Sequence, residues 1–348
     1  MNEGFSSCVS VLACAMVLGG CRGSAEPESG EARQAEAAPA TGAEAPDEGS
    51  VAAAAQAPVS DYIPTVIQPD PSWPTPPAGM IYIPTADVWL GADDDALNPR
   101  RLVHVEGFFI DRTEVTTASF EGCVGSGRCS PHVRPATLPL ALKPDDPVAR
   151  WLVEQCNFGL ADRRDHPMNC VTGTEAAAYC AAQGGRLPHA QEWEYAARGT
   201  DERRFVWGNE STEENVHGNS CDRSLRLVYR SMGAYQQMQY RFEPFNDGFA
   251  GTAPVGSFPR DTSPFGLQDT AGNVSEWTPD TRDVWDYDES RLTDETIFTG
   301  GDWMACTVEV THISHNHESE QHPTRGFRCV HDVSAPSENT ARPAGAAR

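Results

Sequence analysis

Gly184-Gly185-Arg186-Leu187-Pro188-His189-Ala190-Gln191-Glu192-Trp193-Glu194-Tyr195-Ala196-Ala197-Arg198-Gly199 joins two helices near the middle of the chain. Its first two residues end one helix and its proline opens another. Upstream, Thr172-Gly173-Thr174-Glu175 fits a capping box, with the Thr172 hydroxyl serving one orphan amide and Glu175 reaching back to another. That helix runs through Ala176-Ala177-Ala178-Tyr179-Cys180 and stops at Gly184-Gly185, where glycine accepts a left-handed conformation. The second helix follows Pro188 and sets Trp193, Ala196 and Ala197 on one face at helical spacing.

Working outward, Gly79-Met80-Ile81-Tyr82-Ile83-Pro84 opens the domain as a strand. Val103-His104-Val105-Glu106-Gly107-Phe108-Phe109-Ile110-Asp111 alternates weakly and predicts a second strand. It leads into Thr113-Glu114-Val115-Thr116. The rest is rich in glycine and proline and poor in periodicity, and no internal repeat stands out. The sequence predicts residues 1–21 as an export signal, 22–77 as a disordered Ala/Glu/Pro-rich tether, 78–332 as one domain and 333–348 as a disordered tail. About 255 ordered residues sit near the upper size for one core.

Two further stretches keep step with the first: Asp269-Thr270-Ala271-Gly272-Asn273-Val274-Ser275-Glu276-Trp277 and Gly326-Phe327-Arg328-Cys329-Val330. In this order, over nearly all of 78–332, the chain closely resembles the formylglycine-generating enzyme (sulfatase-modifying factor) family. The resemblance implies a single α+β domain, a formylglycine-generating-enzyme-like variant of the C-type-lectin-like fold with little regular secondary structure. Members usually have Thr after Leu-Pro to cap the second helix. His189 stands there, and as a cap it is the poorer residue.

The resemblance also implies metal sites. One calcium ion would be held by Asp269, the carbonyls of Gly272 and Val274, and Glu276. A second would use Asn215, the Val216 carbonyl, Asp247 and the Phe249 carbonyl, with Asn219 competing for the part of Asn215. Hard oxygen donors spaced irregularly on turns suit calcium. Active members bind copper(I) between two thiolates about five residues apart, after a Gly-Gly-Ser-aromatic turn, because soft sulfur selects that metal. Here the turn is Gly300-Gly301-Asp302-Trp303-Met304-Ala305-Cys306. The first family cysteine aligns with Ala305, Cys306 lies one place later, and five residues on stand Val310 and Thr311. Cys306 is a weak catalytic candidate, and copper is not expected. Between the turn and Gly326 lie His312, His315, His317 and His322, four imidazoles that could take a transition metal. Their spacing matches no metalloenzyme signature.

The compartment is indicated by the start of the chain. Val9–Leu18 is an apolar run too short to span a bilayer, and Leu18-Gly19-Gly20-Cys21 looks like a lipobox, with Cys21 as the lipidated residue. An ordinary secretory signal is the alternative, and either exports the chain to the cell envelope or beyond. Membrane contact would come only through that anchor. The net charge of −24 repels phosphate backbones, so a nucleic-acid partner is not expected. Of eleven cysteines, eight remain after the signal and anchor, an even set that reads as four disulfides with 105 connectivities open. The resemblance pairs Cys180 with Cys329. Proximity suggests Cys123–Cys129 and Cys156–Cys170, and elimination leaves Cys221–Cys306.

These readings lead to an exported domain without copper oxidase activity, a calcium-stabilised binding or scaffold module for a protein or peptide of the cell envelope. The alternatives are a divergent oxidase converting a sulfatase cysteine to formylglycine, or an oxidase built on the His312–His322 cluster. The missing second thiol separates the first reading from its rivals.

Overall fold

The computed structural model describes residues 64–333 apart from 136–142, 144, 210–216, 235–244, 286–291 and 307. The signal, Cys21, most of the tether and nearly all of the tail lie outside the described residues. Five helices are seen: α1 (Thr117–Gly125), α2 (Pro147–Glu154), α3 (Gly173–Ala182), α4 (Ala190–Arg198) and α5 (Arg223–Ser231). The strands are β1 (Met80–Ile83), β2 (Ala86–Leu90), β3 (Arg101–Val105), β4 (Phe108–Asp111), β5 (Ser275–Trp285), β6 (Leu292–Thr299), β7 (Ile313–Asn316), β8 (Arg325–Gly326) and β9 (Val330–Asp332). They form three sheets, ordered β1-β4-β9, β2-β3 and β7-β6-β5-β8.

The two helices read from sequence are there, and each begins where its chemistry says it should. The Thr172 hydroxyl accepts from Glu175 N at 3.1 Å while Glu175 Oε2 accepts from Thr172 N at 2.9 Å. Gly184 sits at φ +83° beyond the end of α3. The start of α4 is held differently: Glu192 accepts from His189 N at 2.7 Å, and Asp280 of β5 accepts from Ala190 N at 2.6 Å. The cap missing from the local sequence is thus supplied by a residue 90 positions away. The single strand expected over Val103–Asp111 is two strands in different sheets, β3 pairing with β2 and β4 with β1 and β9. They part at Gly107, where an added Cβ would lie 2.6 Å from the Tyr82 hydroxyl oxygen.

The assigned tether also ends sooner than residue 77. Ile67 N donates to Pro264 O at 2.7 Å, and the Trp73 ring meets Tyr82 edge-on at 5.6 Å.

One part of the core lies between α1, α3 and β5, around Phe120, Tyr179, Trp277 and Phe327. Another packs α4, through Tyr195 and Ala196, on the inner faces of β1, β2 and β4. The eight cysteines form the pairs Cys123–Cys129, Cys156–Cys170, Cys180–Cys329 and Cys221–Cys306. No helix among the described residues is long and apolar enough to cross a membrane.

Candidate functional site

The three motif stretches meet at one buried carboxylate. Glu276 Oε2 accepts from Trp193 Nε1 at 2.9 Å and from Arg328 Nε at 2.7 Å, and its Oε1 accepts from Arg328 Nη2 at 2.7 Å. Arg328 also donates to the carbonyls of Asp111, Arg112, Gln268 and Asp269 at 3.0–3.2 Å. Both side chains are wholly buried. A charged pair in such a place is tolerated because the guanidinium fork and the carboxylate match in shape and nearly every polar atom has a partner.

More acid surrounds this pair than one arginine offsets. Glu114 accepts from Asn273 Nδ2 at 2.7 Å and Val274 N at 3.0 Å, and burial, then the nearby Asp269, raises it well above the usual carboxylate range. Burial pushes Asp269 up to about 7, helped by the charge of Asp261, and pushes Asp261 up to about 6. Asp269 lies at φ +58° and accepts from Gly256 N at 2.7 Å.

A calcium ion on Glu276 would share this carboxylate with Arg328 and Trp193, which already donate three hydrogen bonds to it. In the set Asp269, Gly272, Val274 and Glu276 that the resemblance implies, one ligand is thus also the partner of a buried guanidinium. In the second set, Asn215 and Val216 lie outside the described residues. Asp247 accepts from Phe249 N at 2.8 Å and Ser220 N at 3.2 Å, and its own N donates to Asp222 Oδ2 at 2.7 Å. Burial, with the Asp222 charge next to it, pushes Asp247 up to about 8. Asn219 Oδ1, the rival of Asn215, is buried with no hydrogen-bond partner among the described residues. Hard oxygen donors short of hydrogens fit a divalent cation. Asp222 is not among the residues the sequence points to, although it also caps α5 by accepting from Leu225 N at 3.1 Å, a role its position before the helix signals.

Linkage separates the two sets. If calcium binds only at Asp247, a hundredfold excess over Kd stabilises the fold by about 2.7 kcal/mol. Calcium should then raise the melting temperature of the parent but not of Asp247→Asn. Glu276→Gln should destabilise by the same amount with or without chelator. Melting curves of the three proteins with calcium or chelator test this, and a chelator response lost in Glu276→Gln would return the ion to Glu276.

At the turn after β6, Gly300 lies at φ +79°, and an added Cβ would come within 2.9 Å of the Trp193 ring. Asp302 stands where the family has serine. Its Oδ1 accepts from Met304 N at 2.8 Å and Ala305 N at 3.0 Å, and burial pushes it up to about 6. Trp303 is buried, donates to Pro323 O at 3.2 Å and meets Trp151 edge-on at 5.6 Å. Cys306 is bonded to Cys221, so the weak catalytic candidate carries no free thiol. Ala305, and Val310, which is buried, complete a position without a second sulfur.

The histidine cluster does not converge. His315 Nδ1 pairs with Glu295 Oε2 at 2.7 Å, and His317 Nδ1 meets the Ser319 hydroxyl at 2.7 Å. His322 Nδ1 meets the Thr324 hydroxyl at 2.8 Å and is held down to about 3 by burial; burial also lowers His312. Among the described residues no group of three or more His, Cys, Asp or Glu could hold a metal ion. The strand β7 separates the rings, since it holds His315 in the sheet while His312 precedes it and His317 and His322 follow it.

Fold and motif convergence define a sulfatase-modifying-factor-type domain. The family described as "Sulfatase-modifying factor enzyme 1-like domain" matches residues 65–333, and the chain belongs to it. Its helices and antiparallel-dominated sheets make it an α+β domain. It is 33% identical over 242 residues to a formylglycine-generating enzyme of Bos taurus, covering 60% of this chain and 59% of that protein. The chain therefore spans less than two thirds of that relative's length. It is 27% identical over 293 residues to inactive C-alpha-formylglycine-generating enzyme 2 of Mus musculus, covering 75% and 88%. The solved structure of PvdO from Pseudomonas aeruginosa is similar at 22% identity, covering 73% and 94%, with a TM-score of 0.49.

Proposed function

We propose that this chain is an exported member of its family without copper oxidase activity, a binding or scaffold module for a protein or peptide of the cell envelope. The observation that carries the reading is the Cys221–Cys306 bond beside Ala305 and Val310. Linear copper(I) coordination requires two thiolates, and the turn offers none. The similarity to an inactive relative is in keeping with this, and that to an active one marks what has been lost. Four disulfides favour an oxidising compartment. We assign the lipid anchor to Cys21 on its lipobox alone, and calcium to the Asp247 side of the domain.

The test is a copper-loaded assay on a peptide with the Cys-x-Pro-x-Arg motif that the family resemblance implies as substrate. No mass change at the peptide cysteine is expected, with or without mild reduction of the protein. Copper-dependent loss of the peptide's thiol would overturn the reading and restore a cysteine oxidase.

A further inference from the structure

A cleft of about 330 Å³ opens between the start of α4, the segment 97–101 and the face of β5, β6 and β7. It shares no residue with the Gly300–Cys306 turn, so a ligand bound here is independent of any chemistry at that turn. His189 lines one side, half exposed, with Nδ1 2.7 Å from Asp280 Oδ1. The other Asp280 oxygen accepts from Ala190 N, so this carboxylate acts as an acceptor and the ring hydrogen sits on Nδ1. In the neutral ring Nε2 is then the nitrogen that can accept a hydrogen bond. At the helix start Asp280 serves the Ala190 amide and Glu192 the His189 amide. The imidazole, held by a carboxylate, is part of the cleft's lining.

Arg101 lines the opposite side. Its Nη1 donates to Asn98 Oδ1 at 2.7 Å and Pro99 O at 3.3 Å, which fix the guanidinium while it has no carboxylate partner among the described residues. Glu194, at the base, is spent on Arg198, Gly91 N and Asn98 Nδ2. Ile297 and Ile313 give the floor an apolar surface. The cleft thus sets Arg101 and the His189 ring beside an aliphatic surface, with the lining carboxylates of Asp280 and Glu194 already engaged by hydrogen bonds.

We propose that this cleft binds a small aromatic hydroxy acid, with its carboxylate on Arg101, its hydroxyl donating to His189 Nε2 and its ring on Ile297 and Ile313. Each group of such a ligand meets its match, whereas a cationic ligand would face Arg101 and a purely apolar one would leave both polar groups unserved.

The probe is 4-hydroxyphenylacetate, followed by the ring-nitrogen NMR signals of His189 in the whole protein. A saturable shift is expected. Arg101→Gln and His189→Thr should each weaken binding at least tenfold, the cost of one charge-assisted or buried hydrogen bond. His189→Thr supplies an ordinary helix cap, so an unchanged melting temperature separates lost binding from lost fold. Phenylacetate, which lacks the hydroxyl, should bind about tenfold more weakly, and 4-hydroxybenzyl alcohol, which lacks the carboxylate, should fail. The proposal falls if no saturable shift occurs up to the probe's solubility, if either variant binds like the parent, or if either analogue binds as tightly as the probe.

Discussion

Replacing Arg328 with Met should lower the stability of the domain by about 3–5 kcal/mol, because it leaves the Glu276 carboxylate buried without its counter-charge. Four backbone carbonyls would each lose one donor in the same step. For a domain of this size the loss amounts to a fall of roughly 10 °C or more in the melting temperature. Arg328→Lys should recover only part of it. An ammonium keeps the charge but lacks the planar fork that reaches both Glu276 oxygens and the carbonyls on either side. Thermal melts of the parent and both variants decide the matter. If Arg328→Met melts within a degree or two of the parent, the ion pair is not what holds the three motif stretches together.

The second large effect concerns the disulfides, which should differ in worth according to the loops they close. Cys180–Cys329 spans 149 residues and Cys123–Cys129 only 6. In the entropic model these correspond to about 5 and about 2 kcal/mol of restriction on the unfolded chain. Removing the first pair as a double serine variant should therefore cost more than twice what removing the second does. Denaturant titration of both variants, with the remaining bonds oxidised, checks the ratio. Equal losses would show that native-state contacts of the sulfurs, not the closed loop, set the stabilisation.

What is legible in the sequence is what is encoded within a few residues. The capping box at Thr172, the glycine stop at Gly184 and the helix after Pro188 are local devices. They appear in the structure where the sequence places them. Helices α2 and α5 are not evident in the sequence although Asp146 with Pro147, and Asp222, are ordinary start signals; their short apolar stripes do not stand out from the loops around them. The break at Gly107 depends on Tyr82 in a neighbouring strand, and the α4 cap depends on Asp280, so neither is visible locally. The same holds at the site. That Glu276 pairs with Arg328, 52 residues later, is not visible from the turn that carries it. Four histidines within eleven residues resemble a cluster until the rings of His315, His317 and His322 are each seen to meet a different partner.

The eight residues from Arg325 to Asp332 have a consequence for how the chain is made. Strand β8 joins β5, Phe327 O accepts from Val115 N, Arg328 fills the Glu276 site, Cys329 bonds Cys180, and Val330 pairs with both β4 and Arg186. Each partner is made well before its mate, so a domain emerging from its amino end remains open until this last stretch arrives. Until then β4 lacks its partner β9, α3 lacks its bond to Cys329, and the acids around Glu276 lack Arg328. Folding is thus tied to completion of the domain. A chain halted at residue 324 would lose two strands, an ion pair and a covalent bond at once, and quality control would meet an incomplete core rather than a slightly weakened protein.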